Sequence, residues 1–309
     1  MPPYAFFHKK FMPLSEAKIG ILTHAFHYGT ACFEGIRGNW DSEQDRFCLF
    51  RVQDHYARML NGCRILKSNL PYSTSELCQL TTELLIQSGY HEDVYIRPLA
   101  YKSSETIGVR LHELEDDFLI IVTTFPSYLG DRGTHCCTSS WRRVDDTMIP
   151  ARGKICGIYV NSCLAKTEAW ENGFDEAILL TQDGHVSEGS GENIFIVING
   201  NLITPPTSDN ILMGITRDTV ITLAKNELGI DTIERHVDRS ELYLAEECFF
   251  SGTAAHIAPI VEVDHRPVGT GETGKITTEL QKLYKEVMLG RNTKYLDWYT
   301  LVSPKPAKA

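Results

Sequence analysis

Residues 175–205 read DEAILLTQDGHVSEGSGENIFIVINGNLITP. Two dipeptides in this stretch, Asp183-Gly184 and Asn199-Gly200, are strong hairpin signals, because a two-residue hairpin turn needs positive φ at its central positions. The runs between them are rich in Ile, Leu, Val and Phe and too short for helices. The segment therefore reads as a set of turn-separated strands around a Gly-rich bend, GSGE. ECFFSGTAAHIAPIVEVD (247–264) reads as a strand, a Gly-Thr turn and another strand. Two helical patterns lie among these strands. One is Tyr159–Asn172, with Gly173 as its C-cap; the other is GITRDTVITLAKNELGI, starting at Thr216 and ending at Gly229.

The first 124 residues mix both kinds of element. HYGTACFEGIRG is punctuated by glycine, RVQDHYARMLNGCRILK has helical spacing, and STSELCQLTTELLIQSG is a capped amphipathic helix ending at Gly89. DVYIRPLAY and DFLIIVTTF are β-rich. PSYLGDRGTH concentrates Pro and Gly as a linker does. The expected architecture is α+β in two domains: a small α/β domain over 1–124, an interdomain loop over 125–136, and a large domain over 137–309. The tail SPKPAKA is expected to be disordered.

Composition removes several classes of function. A chain of 309 residues with 42% apolar and 23% charged residues is ordinary for a globular protein of one or two domains. A net charge of −10 without a basic block argues against nucleic acid, and no apolar run approaches the length of a membrane span. The N-terminus MPPYAFFHKKFMPL lacks a signal-peptide pattern. Nine cysteines, an odd number with no C-x-x-C pair, read as reduced thiols and point to the cytoplasm.

Several residues could carry chemistry. Lys154 sits in PARGKICGIYV among small and apolar neighbours. Desolvation disfavours the ammonium, and a neutral amine can form a Schiff base; taken alone, such a lysine more often snorkels to the surface. Glu188, in HVSEGSGENIF, could pair with a protonated ring nitrogen or be a surface strand residue. LMGITRD opens a helix, and the amides of Ile215 and Thr216 with the Thr216 hydroxyl form either an anion site or a plain N-cap. The turn Gly252-Thr253-Ala254 could hold a carboxylate or phosphate, or simply join two strands. Arg58 lies on a helix and Arg97 in an apolar strand, where it wants an anionic partner, structural or bound. Together these supply a nucleophilic lysine, a carboxylate for a pyridinium, a phosphate site and carboxylate anchors, the set that pyridoxal 5'-phosphate requires.

At this point the chain resembles the fold-type IV pyridoxal-phosphate enzymes, with the D-amino acid aminotransferase-like fold, and within them the branched-chain amino acid aminotransferases. HYGTACFEGIR, HYARML, YIRPL, GKICGIYVNS, EAILLTQDGHVSEGSGENIF, LMGITRDTV and ECFFSGTAAHIAPI carry the resemblance, which extends from residue 24 to 277. It implies a transaminase that moves the amino group between leucine, isoleucine or valine and 2-oxoglutarate in two half-reactions. It implies that Lys154 is the Schiff-base lysine and proton carrier, and Glu188 the partner of the pyridine nitrogen. Arg58, Ile215, Thr216 and Thr253 would grip the phosphate, with Gly214 and Gly252 beside them. Tyr159 would donate to the 3-oxygen, and Leu212 would pack on the ring. Phe33, Tyr95, Arg97, Tyr128, Thr253 and Ala254 would line the substrate pocket. Tyr28, Ile107 and Val109 would come from the neighbouring subunit of a homodimer. No metal is implied. The linker FPSYLGDRG lacks the tryptophan that some relatives carry before the tyrosine. Other readings of the same fold remain alternatives: D-amino acid or (R)-amine transamination, aminodeoxychorismate lyase chemistry, a branched-chain transaminase with (R)-amine side activity, or binding without catalysis.

Overall fold

The structure, a computed structural model, describes residues 3–124 and 133–303. The chain divides into two compact units: Met1–Pro126 with Gly153–Gly157 and Glu286–Ala309, and Ser127–Arg152 with Ile158–Lys285.

The first unit is built on a sheet of eight described strands. In order across the sheet run Tyr299–Val302, Arg46–Phe50, Ile36–Asp41, Val94–Lys102, Asp116–Thr124, Tyr4–Phe7 and Lys10–Pro13, with Ala31–Phe33 also paired to Val94–Lys102. Along Val94–Lys102 the burial alternates through the middle: Ile96 and Pro98 are buried, while Arg97 and Leu99 are half-exposed. That period of two is what a strand dictates when one face meets the core. The chain leaves the ladder briefly at Glu34 and Gly35, between the pairs Phe33↔Leu99 and Ile36↔Ile96. Opposite this gap stands Pro98, which has no N–H to offer; its carbonyl accepts from the Glu34 N–H at 3.0 Å. The helices Val52–Ile65 and Thr74–Ser88 pack on each other and on this sheet. The second starts where the sequence signals it. Ser73 caps it with a capping box: the Ser73 N–H donates to Glu76 at 2.7 Å, and the Glu76 N–H donates to Ser73 Oγ. Such a cap contributes about 1 kcal/mol.

The second unit holds a sheet of nine described strands, ordered Val186–Gly189, Glu176–Leu180, Thr134–Arg142, His256–Val263, Glu247–Gly252, Asn193–Ile198, Asn201–Thr204 and Thr232–Glu234, with Arg266–Pro267 at the side. The Asn199-Gly200 turn behaves as read: both residues have positive φ and the strands pair directly across it, Ile198↔Asn201. Thr134–Arg142 runs parallel to Glu176–Leu180 because the helix Tyr159–Glu171 carries the chain back between them. Ala165 and Ala169 of that helix pack against Cys137, Ala177 and Leu179. A larger cluster that includes Ile178, Ile194, Phe250 and Ile260 fills the core.

Three boundaries differ from the sequence reading. The expected loop 125–136 overlaps a strand, since Thr134–Arg142 is already in the ladder; residues 125–132 lie outside the described part. The Lys154 segment, expected in the large domain, belongs to the first unit: Ile155 bridges to Cys32, and the Phe33 N–H donates to the Lys154 carbonyl at 3.0 Å. The C-terminal residues also belong to the first unit, because Tyr299–Val302 pairs antiparallel with Arg46–Phe50. Both corrections come from long-range strand pairing, which no local pattern announces. Most of the SPKPAKA tail lies outside the described residues.

Candidate active site

In the first unit the side chains gather around Phe33. The Arg97 guanidinium carbon lies 4.3 Å from the Phe33 ring centroid, and Lys154 Nζ lies 5.0 Å from the same centroid. Two cations thus share one aromatic ring. Arg97 also lies 5.1 Å from the Tyr95 ring and donates from Nη2 to the Tyr95 hydroxyl at 3.0 Å. Its Nε is buried without a hydrogen-bond partner, and among the described residues no carboxylate pairs with it. The structural salt bridge that would explain an arginine in this strand is therefore not among them. Gly35 makes the arrangement possible, because a Cβ there would collide with the Tyr95 hydroxyl. This is why FEGIR needs its glycine.

Arg58 is fixed from behind by a group the sequence did not reveal. Glu34, fully buried, accepts from Arg58 Nε and Nη2, each at 2.7 Å, and meets His55 Nδ1 at 2.7 Å. Burial alone would raise this carboxyl. The Arg58 charge and the hydrogen bonds from Arg58 and His55 outweigh it and hold Glu34 at about 2. Burial also lowers His55, against the pull of Glu34. The bidentate pair sets the plane of the guanidinium, a geometry lysine could not supply.

In the second unit Glu188 is buried on the strand Val186–Gly189. Its Oε1 receives Arg143 Nη2 at 2.7 Å. Its Oε2 receives Asn193 Nδ2 at 2.9 Å and the Leu212 N–H at 3.0 Å. Asn193 also donates to the Leu212 carbonyl at 2.9 Å. Gly214 follows, and a Cβ there would strike Asn193 Oδ1. Glu188, Leu212 and Gly214 are thus one assembly knotted by Asn193. Gly214 is the N-cap of the helix Ile215–Leu228, so Thr216 is the second helical residue, not the first, and its side chain does not cap. The Thr216 hydroxyl lies 3.4 Å from that of Tyr284. A helix of this length carries partial positive charge at its N-terminus, which suits an anion.

The turn 253–255 closes the hairpin between Glu247–Gly252 and His256–Val263, with Gly252 paired to His256. It lies on the strand beside Asn193, since Asn193 pairs with Ser251. Beneath Gly252 lies Glu192, buried and held up to about 8 by burial and by the neighbouring Glu176 carboxylate. Glu176 in turn pairs with Lys166 at 2.6 Å. Tyr159 opens the helix Tyr159–Glu171. Tyr28, Ile107 and Val109 lie in the first unit; Ile107 is 60% exposed and Val109 92% exposed. Tyr128 lies outside the described residues.

Arg143, Asn193, Glu34 and His55 were not singled out by sequence. For Asn193 a signal existed: GSGEN places it just after the bend and three residues after Ser190. Arg143 had none, because nothing in SSWRRV distinguishes it from Arg142.

Comparison with known proteins agrees with these features. The profile of the family Amino-transferase class IV matches residues 31–263. A probable branched-chain-amino-acid aminotransferase of Aquifex aeolicus is 48% identical, covering 98% of this chain and 97% of its own. The crystal structure of a branched-chain aminotransferase from Thermoproteus uzoniensis with norvaline superposes with a TM-score of 0.93 at 42% identity, covering 97% of this chain and 99% of that one. This chain belongs to the class IV aminotransferases, in their branched-chain group. A branched-chain amino acid aminotransferase from Thermobaculum terrenum, solved in its PLP form, gives a TM-score of 0.93 at 38% identity, covering 97% and 98%. The class IV fold, with its mixed helices and two sheets, is the α+β architecture expected from the strand and turn pattern.

Proposed function

We propose that this chain is a pyridoxal-phosphate-dependent transaminase that moves the amino group between leucine, isoleucine or valine and 2-oxoglutarate in a ping-pong sequence. The observation that carries this reading is the pair of cations on Phe33. Arg97 and Lys154 share one aromatic ring, and Arg97 has no carboxylate partner among the described residues. An anionic substrate completes such an arrangement, and an amine beside it can do covalent chemistry. When bound, the cofactor supplies an electron-withdrawing ring and a carbonyl that exchanges amines.

The residues fit that group. Glu188, oriented by three N–H donors, would accept from a protonated ring nitrogen. Arg58, Ile215, Thr216 and Thr253 would hold the phosphate, with Gly214 and Gly252 beside them. Tyr159 would donate to the 3-oxygen, and Leu212 would pack against the ring. Lys154 would hold the group covalently, and its Nζ, when free, would move the α-proton. Thr253 and Ala254 receive the α-carboxylate. Phe33, Tyr95 and Tyr128 contact the side chain, and Arg97 receives the second carboxylate of glutamate.

Tyr28, Ile107 and Val109 close the pocket of a neighbouring copy in a homodimer. The exposure of Val109, Ile107, Ile21 and Phe26 on one unit supports an interface there. A reducing compartment, the cytoplasm, is supported by nine free cysteines, including Cys32 and Cys63 with their sulfurs 3.5 Å apart. No helix among the described residues is long and apolar enough to cross a membrane, and no group of His, Cys, Asp and Glu among them could hold a metal.

A steady-state panel with 2-oxoglutarate as acceptor tests the activity. L-Leucine, L-isoleucine and L-valine are turned over, and D-alanine and (R)-1-phenylethylamine are poor donors. Faster turnover of either poor donor would move the chain to another activity of the fold.

A further inference from the structure

We propose that His24 is a positioning residue for the preference for branched side chains, acting by gripping the backbone at Gly108. The proposal rests on the reading that Ile107 and Val109 close a neighbouring copy's pocket. His24 is fully buried at the start of the helix His24–Tyr28. Its Nδ1 meets Thr30 Oγ1 at 2.8 Å and its Nε2 meets the Gly108 carbonyl at 2.8 Å. A carbonyl only accepts, so Nε2 carries the proton. Tyr28 lies one turn along the helix, its ring 4.6 Å from that of His24, and its hydroxyl accepts from the Gly108 N–H at 3.0 Å. Both polar groups of one residue are therefore held by two side chains of one helical turn.

That residue sits where the loop has little else to hold it. The preceding backbone is tied down by the Thr23↔Glu105 bridge and by the His24 N–H on the Ser104 carbonyl at 2.9 Å. From residue 107 to 114, the hydrogen bonds among the described residues are the two at Gly108. Gly108 has φ +149, a conformation L side chains rarely adopt, and a Cβ there would meet nothing within 4 Å. Its glycine is required by backbone shape, and that freedom leaves the loop soft unless it is gripped. Ile107 and Val109 flank the gripped residue and point outward. Fixing the Gly108 peptides fixes where their side chains stand.

The test compares kcat and KM for L-leucine and for L-2-aminobutyrate, with saturating 2-oxoglutarate, in the holoenzyme and three variants. Glutamine reaches as far as the His24 Nε2 and keeps a donor for Gly108, whereas asparagine reaches only as far as Nδ1. His24→Asn is expected to lower the leucine-over-aminobutyrate ratio of kcat/KM by about tenfold, through KM for leucine, as the loss of one hydrogen bond allows. Val109→Ala should lower it similarly, and His24→Gln should stay within about twofold of wild type. A wild-type ratio in His24→Asn beside a lowered one in Val109→Ala overturns the role of His24 and leaves the pocket reading standing. His24→Gln as poor as His24→Asn overturns the Gly108 mechanism. An unchanged ratio in Val109→Ala removes the pocket reading and this proposal with it.

Discussion

Replacing Arg97 with leucine separates the two substrates that one pocket must accept. Leucine and glutamate share an α-carboxylate and differ at the side chain. The amides and hydroxyl of the Gly252-Thr253-Ala254 turn are indifferent to that difference. A second carboxylate entering an apolar pocket unpaired costs several kcal/mol by desolvation, roughly. On the proposed reading Arg97 would prevent this: it stacks on Phe33 at 4.3 Å, donates to the Tyr95 hydroxyl, and keeps a buried Nε without a hydrogen-bond partner. Leucine at position 97 preserves the apolar contact with Phe33 and removes the charge. Losing a charged hydrogen-bonded pair is worth about 3–4 kcal/mol, or between two and three powers of ten in kcat/KM, roughly. Arg97→Leu should therefore collapse catalytic efficiency for glutamate and 2-oxoglutarate by that factor. The half-reaction with leucine, followed through the cofactor spectrum in single turnover, should change far less. Equal losses for both amino acids would show that Arg97 holds the α-carboxylate or the fold, and the dual-recognition argument would fall.

Glu188→Gln keeps the side-chain size but loses the charge, and its amide nitrogen cannot accept from the donors on one of the two oxygens, Arg143 at Oε1 or Asn193 and the Leu212 N–H at Oε2. Turnover should fall by several orders of magnitude, roughly, while cofactor affinity survives through the phosphate contacts; unchanged turnover would remove the proposed role. Acid should attack the first unit through Glu34 and His55. Glu34 ionises at about 2 when folded against an ordinary 4.5, so the unfolded chain binds more protons between those values and stability is lost as pH falls through them, by about 3 kcal/mol in all. His55, lowered from 6.5 by burial first, adds loss in the same direction, beginning at milder acidity. Thermal melts from pH 7 to 3 should show a steeper acid limb for wild type than for Glu34→Gln, and parallel limbs would contradict the assignment. Gly35→Ala should raise KM for glutamate by displacing the Tyr95 ring that supports Arg97; wild-type kinetics would show that the ring has room to move.

What could be read from the sequence was local or carried by motifs. The capping box at Ser73 and Glu76 and the turn at Asn199-Gly200 were legible because a few adjacent residues determine them. Arg97 stood out because an arginine inside an apolar strand demands an anionic partner, whereas Glu188 by itself read as readily as a surface strand residue and stood out only through the motifs around it. The hidden part lies in pairs distant in sequence. Glu34 and Arg58 are 24 residues apart, and Arg143, just past the end of the strand Thr134–Arg142, meets Glu188 on the strand Val186–Gly189. The placement of Lys154 with the first unit depends on the Cys32↔Ile155 bridge, a contact between segments more than 100 residues apart, roughly, that no periodicity encodes.

The central claim is that Lys154 is the residue to which the cofactor is joined. Reducing the yellow holoenzyme with borohydride and mapping the peptides by mass spectrometry tests it directly. The phosphopyridoxyl group is expected on the peptide containing Lys154. Labelling at Lys166, which here pairs with Glu176, or at any other lysine would contradict it.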